Sequence, residues 1–263
     1  MKAYLAMMRG AYMIGLVYRF GFLFSIAGNL IYMSITYFLW RSIYQGRETL
    51  RGLTFDETYI YVALGSTVFI LLKTYVDWQM SYDIREGMVA IYLTKPLDLQ
   101  LYELFTSLGF ALHALTTVTL STFLLLIFVF HIEIPLGIGL LLFHFSLVLA
   151  YLVSFCFDYF IGLLAFYTES VWGLSITKEV IITVLSGALI PLQFFPEAIQ
   201  KILLWLPFQA IYYTPLTMVA KPNLGWETFL PMLGVQLFWV AALFALTRLF
   251  YNQAVKVLRI SGG

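Results

Sequence analysis

One polar interruption divides an otherwise apolar chain, and it reads Asp83-Ile84-Arg85-Glu86-Gly87-Met88-Val89-Ala90-Ile91-Tyr92-Leu93-Thr94-Lys95-Pro96-Leu97-Asp98. Ile84, Met88 and Ile91 recur about one helical turn apart, so a short helix beginning near Asp83 would collect them on one side. Arg85 and Glu86 would stand off this apolar stripe. The pattern predicts a short amphipathic helix between two membrane spans, which either lies among lipid headgroups or contacts a partner.

Pro96 sets the end of this predicted helix. Proline has no amide hydrogen to donate, and it disfavours helical geometry in the residue before it, here Lys95. A short amphipathic helix between two spans also needs a surface to lie against. The stretch 83–98 is therefore the candidate contact surface of the chain.

The composition is typical of a protein that crosses the membrane several times. Of 263 residues, 62% are hydrophobic and only 11% are charged, whereas a soluble domain carries about 25% charged residues. The mean hydropathy is +0.89. The formal net charge of +1 gives no bulk field that would attract nucleic acid. Cys156 is the single cysteine, which excludes an intrachain disulfide and a multi-cysteine metal site.

Apolar runs long enough for membrane helices recur along the chain, since a span needs roughly 20 apolar residues. They predict an all-α polytopic protein with a single transmembrane domain, 1–263, and about six spans: 20–40, 58–78, 102–130, 136–166, 176–190 and 229–250. A tight turn around Glu133 and Pro135 joins the third and fourth spans.

The first residues predict a helix that lies in the membrane interface over 1–19. Lys2, Arg9 and Arg19 fall on one side of such a helix. The opposite side is apolar and comprises Tyr4, Met7, Ala11, Ile14 and Tyr18. Two of the arginines divide the apolar part and no small-residue cleavage site follows, so we expect this segment to be retained.

The fifth run is short and ends at Pro191. An amphipathic stretch, 197–206, follows before Pro207. A short span, a break and a second half-length helix indicate a re-entrant hairpin over 191–207. Such a hairpin is tolerated at membrane depth only when it packs in protein or lines a cavity.

Basic residues near both chain ends, Lys2 and Arg259 among them, outnumber those of the predicted outer loops, which favours cytoplasmic termini. The arginines of the first outer loop oppose this assignment. Aromatic residues near the predicted span ends fit an interfacial belt against membrane lipid: Trp40, Tyr44, Tyr59, Trp78, Tyr82, Trp172, Trp226 and Tyr251.

Asp158 lies inside the fourth predicted span, far from either end. An aspartate at a helix centre costs about 2.5 to 3.5 kcal/mol on insertion, and the many apolar neighbours outweigh this cost. We therefore expect Asp158 to face the protein interior. There it either binds a substrate or cation, or pairs with another helix or subunit, and it is a candidate intramembrane polar site.

Other polar groups in the spans have ordinary structural explanations. Lys73 and Asp77 are four residues apart and can form a local pair on one helix face. Lys178 and Glu179 open the fifth run and fit an anchor at the interface. His113 and His144 lie on different predicted helices. Two unpaired histidines placed in this way are more often packed or hydrogen-bonded than bound to a metal.

The sequence contains no phosphate-binding G-x-x-x-x-G-K-[ST] loop, no H-E-x-x-H and no G-x-S-x-G. We therefore expect no catalytic residue, no metal and no cofactor in this chain.

Two stretches resemble the permeases of type-2 ABC exporters, in the six-span branch that often occurs as paired permeases. The first runs from Ile84-Arg85-Glu86-Gly87 to Tyr92-Leu93-Thr94-Lys95-Pro96-Leu97, and it is similar to the coupling helix of the family and its proline exit. The second joins Leu185-Ser186-Gly187-Ala188-Leu189-Ile190-Pro191 to Phe194-Phe195-Pro196 and Leu206-Pro207-Phe208, and it is similar to the fifth span and outward-facing re-entrant helices.

This resemblance implies an exporter permease in a bacterial plasma membrane, paired with a second copy or a paralogue. A separate ATPase subunit would supply ATP and magnesium. The coupling residues would be Ile84, Arg85, Glu86, Gly87, Met88, Ile91, Tyr92, Lys95 and Pro96, and the outer gate would be Gly187, Pro191, Phe194, Phe195 and Pro196. The alternatives are an ion- or proton-coupled secondary transporter and a non-transporting assembly subunit.

Overall fold

The computed structural model describes residues 1–17, 19–132, 137–168, 170–221 and 224–257. Helices dominate, which confirms the all-α membrane fold. They are α1 Lys2–Val17, α2 Arg19–Tyr44, α3 Phe55–Leu72, α4 Val76–Arg85, α5 Met88–Leu93, α6 Leu99–Ala114, α7 Leu120–Phe128, α8 Ile138–Leu164, α9 Trp172–Leu185, α10 Glu197–Leu203, α11 Tyr213–Ala220 and α12 Gly225–Ala254.

Shorter elements connect these helices. A two-stranded antiparallel hairpin pairs β1 Thr49–Leu50 with β2 Leu53–Thr54. A π-helical segment, Leu115–Thr119, joins α6 to α7 without a break. Turns of 3₁₀ helix span Leu192–Phe194, Pro207–Ala210 and Val255–Val257. The turn expected around Glu133 and Pro135 lies outside the described residues.

Within the described ranges, four helical stretches are long and apolar enough to cross a membrane. They are Phe55–Arg85, Leu99–Phe128, Ile138–Leu164 and Gly225–Val257. With 26 residues, α2 reaches about 39 Å at 1.5 Å per residue, which exceeds the hydrocarbon thickness. The 14 residues of α9 reach only about 21 Å. The total of six spans stays a prediction.

The second predicted span, 58–78, is not one straight helix. The chain leaves helical geometry after Leu72 and resumes it at Val76, with Tyr75 at φ 55. At the break, Ser154 of α8 donates a hydrogen bond to the Leu72 carbonyl at 2.9 Å. A neighbouring helix therefore satisfies a backbone group that the break would otherwise leave unpaired in the membrane.

The core forms around α8, which packs against α3, α4, α11 and α12. Its side chains at Val153, Phe155 and Tyr159 are completely buried. Every residue of α11 is buried as well. Polar side chains in this core have hydrogen-bond partners. For example, the side-chain oxygen of the buried Gln236 accepts a hydrogen bond from the Ser146 hydroxyl at 2.8 Å.

The N-terminal helix α1 packs along α6. Its contact face centres on Ala11 and Gly15, where Gly15 lies against the ring of His113. The predicted apolar face is partly wrong, because Ile14 is 53% exposed while Tyr12 packs against His113. Because glycine has no side chain, α1 can approach α6 closely at Gly15. A prediction based only on the pattern of apolar residues does not detect such a contact.

Three aromatics assigned to an interfacial belt are instead core residues. Trp40, Tyr44 and Tyr59 are all buried. The β-hairpin contacts this group at Tyr44, whose hydroxyl donates to the carbonyl of Leu53 at 3.0 Å. Trp78 and Trp172 remain exposed, as a belt requires.

Candidate functional site

The stretch 83–98 contains a sharp break between two helices. Asp83 lies near the end of α4 rather than at a helix start, and α5 begins at Met88. Gly87 separates them with φ 73, a left-handed conformation that glycine adopts without a side-chain clash. The single helix expected from Asp83 onward was therefore wrong, because the expectation overlooked this glycine.

The break divides the predicted apolar stripe. Ile84 is partly buried against the core of the chain. Met88 is 41% exposed and Ile91 is 50% exposed, while Val89 between them is buried at 3%. Val89 thus anchors α5 to the chain, and Met88 with Ile91 forms an outward apolar edge.

Charged residues flank this edge. Arg85 and Glu86 are exposed and form an ion pair, with 3.7 Å between Arg85 Nε and Glu86 Oε1. The Lys95 ammonium lies 5.2 Å from the centre of the Tyr92 ring. Exposed charged groups and apolar atoms thus share one short surface, as they do at the rim of a protein contact.

The exit of this segment, just after Pro96, is fixed to three helices. The Asp98 side chain caps α6 by accepting from the Leu101 amide at 3.0 Å. The Asp98 amide donates to the Tyr4 hydroxyl of α1 at 2.9 Å. Arg248 of α12 forms an ion pair with the Asp98 carboxylate. A displacement of α5 would therefore be felt at α1 and α12.

The second predicted site begins where α9 ends. Gly187 has φ 82 and its carbonyl accepts a hydrogen bond from the Tyr61 hydroxyl of α3 at 2.9 Å. The Ser186 carbonyl accepts from the amide of Tyr213 at 3.1 Å. The turn after α9 is therefore held by both α3 and α11.

The rest of the predicted outer gate follows this turn directly. Pro191 precedes a 3₁₀ turn, Leu192–Phe194, and Pro196 precedes α10. The Phe194 ring lies 5.3 Å from Trp40, and Phe195 is partly buried. The structure thus brings the five gate residues together in one irregular segment. Their role in gating stays a prediction.

Asp158 faces the interior, as expected from its cost in lipid. It is 6% exposed and forms an ion pair with Lys178 of α9. The same ammonium donates to Asp77 of α4 at 2.8 Å. The Thr74 hydroxyl also donates to Asp158. One partly buried lysine thus joins buried carboxylates from two other helices.

A second ion pair lies beside this cluster. Lys73 donates to Glu179 at 2.9 Å. The predicted local pair of Lys73 with Asp77 was therefore wrong, and so was the interfacial role of Lys178, whose side chain is 13% exposed. The break after Leu72 redirects both residues toward α9. We name Lys73, Asp77, Asp158, Lys178 and Glu179 the ionic clamp.

The ionic clamp was missed because its partners are far apart in sequence. A signal was present in the sequence. The second span and the fifth span each carry one cation and one anion, Lys73 with Asp77 and Lys178 with Glu179, so each charge can find a partner of opposite sign on the other helix. Removing Lys178 would leave the two buried carboxylates, Asp77 and Asp158, uncompensated, which is costly. A direct role for Asp158 toward a substrate stays a prediction.

His113 and His144, the two histidines of the predicted spans, make different contacts. His113 packs against α1, and the His144 ring contacts the Leu140 carbonyl at 2.7 Å. Among the described residues, no group of three potential metal-ligating side chains occurs.

Residues 30–262 match the model of a family described as ABC-2 family transporter protein. The chain belongs to this family. It is a membrane permease of an ABC transporter, and the resemblance drawn from residues 83–98 and 185–208 is confirmed. No curated protein matches the permease significantly. The match begins inside the first predicted span and continues through the last one. It therefore includes α5, the turn after α9 and the ionic clamp.

Proposed function

We propose that this permease is half of an ATP-driven exporter and that α5, with the flanking charges, docks a separate ATPase subunit. The observation that carries the proposal is the outward edge formed by Met88 and Ile91, anchored by the buried Val89. Exposed apolar side chains beside exposed charges are typical of a protein contact. Because the chain belongs to a family of ABC permeases, the expected partner is an ATPase subunit.

The surrounding contacts give the docked segment mechanical connections. On one side, α4 leads from α5 to the ionic clamp, where Asp77 is paired with Lys178. On the other side, Asp98 bonds to α1, α6 and α12. A rigid-body shift of α5 would therefore bias both α9 and α12, and α9 leads to the turn at Gly187. This is a mechanical basis for coupling nucleotide state to the outer gate.

A second permease completes the proposed complex. The outer face of α2 carries exposed apolar residues at Phe24, Ile31, Ile35 and Phe38. Such a face suits either lipid or a second permease of the same family. We propose a homodimer or a pair with a paralogue, with both termini in the cytoplasm.

The test is gentle extraction from the native membrane, affinity capture and mass spectrometry of the bound proteins. We expect an ATPase with a phosphate-binding loop, together with a second permease when the pair is heteromeric. Glu86→Arg should lose most of the ATPase because it places a second positive charge beside Arg85 on the docking surface. Glu48→Arg is the matched control, since Glu48 is also exposed but lies in the predicted outer loop.

Vanadate-sensitive ATP hydrolysis that increases with substrate would separate an exporter from an assembly subunit. Full ATPase capture by the Glu86→Arg variant, at wild-type levels of membrane insertion, would contradict the docking assignment.

A further inference from the structure

A cavity of about 410 Å³ lies between α6 and the break that separates α3 from α4. Much of its wall is apolar and includes Ile70, Leu71 and Phe110. Its volume falls within the range of about 300 to 1,000 Å³ that holds small organic ligands. The cavity shares Lys73 and helix α4 with the ionic clamp, while its opposite wall is α6.

A carboxylate without a partner lines this cavity. Glu103 of α6 is 4% exposed, and across the described ranges no side chain or backbone group forms a hydrogen bond or ion pair with it. The hydroxyl of Thr106, one turn further along, is also buried and has no hydrogen-bond partner among the described residues. Both side chains line the cavity.

Neighbouring polar groups are already committed elsewhere. The Lys73 ammonium, which reaches the same cavity, is paired with Glu179 at 2.9 Å. The Gln79 amide donates to the buried Asp83 at 2.9 Å. Among the described residues, no cation lies within ion-pair distance of Glu103. A buried carboxylate without a partner is costly, and an ionisable group in a membrane helix points to function.

We propose that this cavity binds a lipophilic amine in its protonated form, as cargo of the exporter. Its ammonium would donate a hydrogen bond to the Glu103 carboxylate, with the Thr106 hydroxyl beside it, while its apolar body would lie against Phe110 and Leu71. The inference rests on the proposed function, because it names the substrate class of the same permease.

The charge of the lining selects a cation over other ligands. Glu103 is an acid without a counter-ion among the described residues, and the nearby Asp83 is a second buried acid. An anionic ligand would meet these carboxylates, while a neutral apolar ligand would fill the volume and leave Glu103 unpaired. A bound cation offsets the cost of ionising the buried carboxyl group, through a charge-assisted hydrogen bond.

The test is equilibrium binding of tritiated imipramine, a tricyclic tertiary amine, to the full chain in lipid nanodiscs, with empty nanodiscs subtracted. Iminodibenzyl, which keeps the ring system and lacks the basic side-chain amine, is the competitor that separates charge recognition from partitioning. Glu103→Gln keeps the size and polarity of the side chain and removes its charge. Glu197→Gln makes the same change at an exposed position on α10 and is the matched control.

We expect saturable imipramine binding that Glu103→Gln weakens about tenfold or more and that Glu197→Gln changes by less than about twofold. Iminodibenzyl should compete poorly. Equal affinity of the Glu103→Gln variant and the wild type would overturn the proposal, and so would the absence of saturable binding to the wild type.

A measurement on the unaltered chain removes any dependence on the folding of the variant. Dicyclohexylcarbodiimide reacts with carboxyl groups in apolar surroundings, and imipramine should protect Glu103 from this modification, as read by peptide mass spectrometry. Modification of Glu103 that imipramine leaves unchanged would contradict the site. Because neither assay contains an ATPase, failure here leaves ATPase capture intact, and failed capture leaves amine binding intact.

Discussion

The Lys178 ammonium of α9 donates a hydrogen bond to the Asp77 carboxylate of α4 across 2.8 Å. The bond ties the helix that leads to the predicted outer gate to the helix that leads into α5. The same ammonium also pairs with Asp158 of α8. A single side chain of α9 therefore connects the preceding helix α8 and the distant α4, whose Asp77 lies 101 residues away in sequence.

Replacing Lys178 with methionine should destabilise the permease by about 3 to 5 kcal/mol, because two buried carboxylates lose their counter-ion. The side chain of Lys178 is 13% exposed, so solvent cannot replace the pairing. The thermal midpoint of the monodisperse protein, followed by fluorescence-detected size-exclusion chromatography, measures the change.

The control combines Lys178→Met with Asp77→Asn and Asp158→Asn, which removes every charge of the three-residue network. Much of the lost stability should return, since no uncompensated charge remains. A single Lys178→Met variant as stable as the wild type would show that the ionic clamp does not hold these helices.

Gly109→Ala should separate α1 from α6. An added methyl group would lie 2.7 Å from the Cβ of Ala11 and 3.0 Å from the Tyr12 amide nitrogen. Overpacking of this kind costs about 1 to 3 kcal/mol. Thermal stability and limited proteolysis of the N-terminal segment should both report the loss.

Gly234→Ala provides the comparison for this variant. Gly234 is also inside a helix, α12, but a methyl group there meets no atom within 4 Å. Stability should stay level or rise by up to about 1 kcal/mol, because alanine favours helix. Equal behaviour of the two alanine variants would argue against close packing of α1 on α6.

Gly187→Ala should impair export more than it impairs membrane insertion. Its φ of 82 is strained for alanine, and the new methyl group would lie 2.9 Å from the Tyr61 hydroxyl oxygen. The backbone strain alone costs about 1 to 2 kcal/mol. ATP-driven transport into inverted vesicles, normalised to the amount of permease, measures the effect.

Gly46→Ala isolates the backbone contribution, since Gly46 has φ 81 and no atom within 4 Å of the added methyl group. Export by this variant should remain close to that of the wild type. A transport defect of equal size in both variants would mean that the contact between Tyr61 and Gly187 plays no part in gating.

The membrane fold could be predicted from the sequence because apolar runs and proline breaks are local signals. The turn at Pro191 and the helix over 2–17 belong to this class. The broken second span could not be predicted in the same way, because no proline or glycine lies between Leu72 and Val76. Contacts with α8 stabilise that break, and they exist only in the folded chain.

The polar sites show the same difference between features set by local sequence and features set by tertiary packing. The burial of Asp158 follows from the cost of a charge in lipid, which a sequence reports directly. Its partner Lys178 depends on tertiary packing, and the local pairing of Lys73 with Asp77 was the wrong choice. Glu103 was overlooked because it lies close to the start of α6, where a charged residue is ordinarily solvated.

The most direct test of ATPase docking is photo-crosslinking in native membranes, with p-benzoylphenylalanine placed singly at Ile91 and at Ile199. The two side chains are 50% and 45% exposed, on α5 and α10 respectively. We predict an ATPase adduct from position 91 and none from position 199. Efficient incorporation at position 91 without any ATPase adduct would contradict the account.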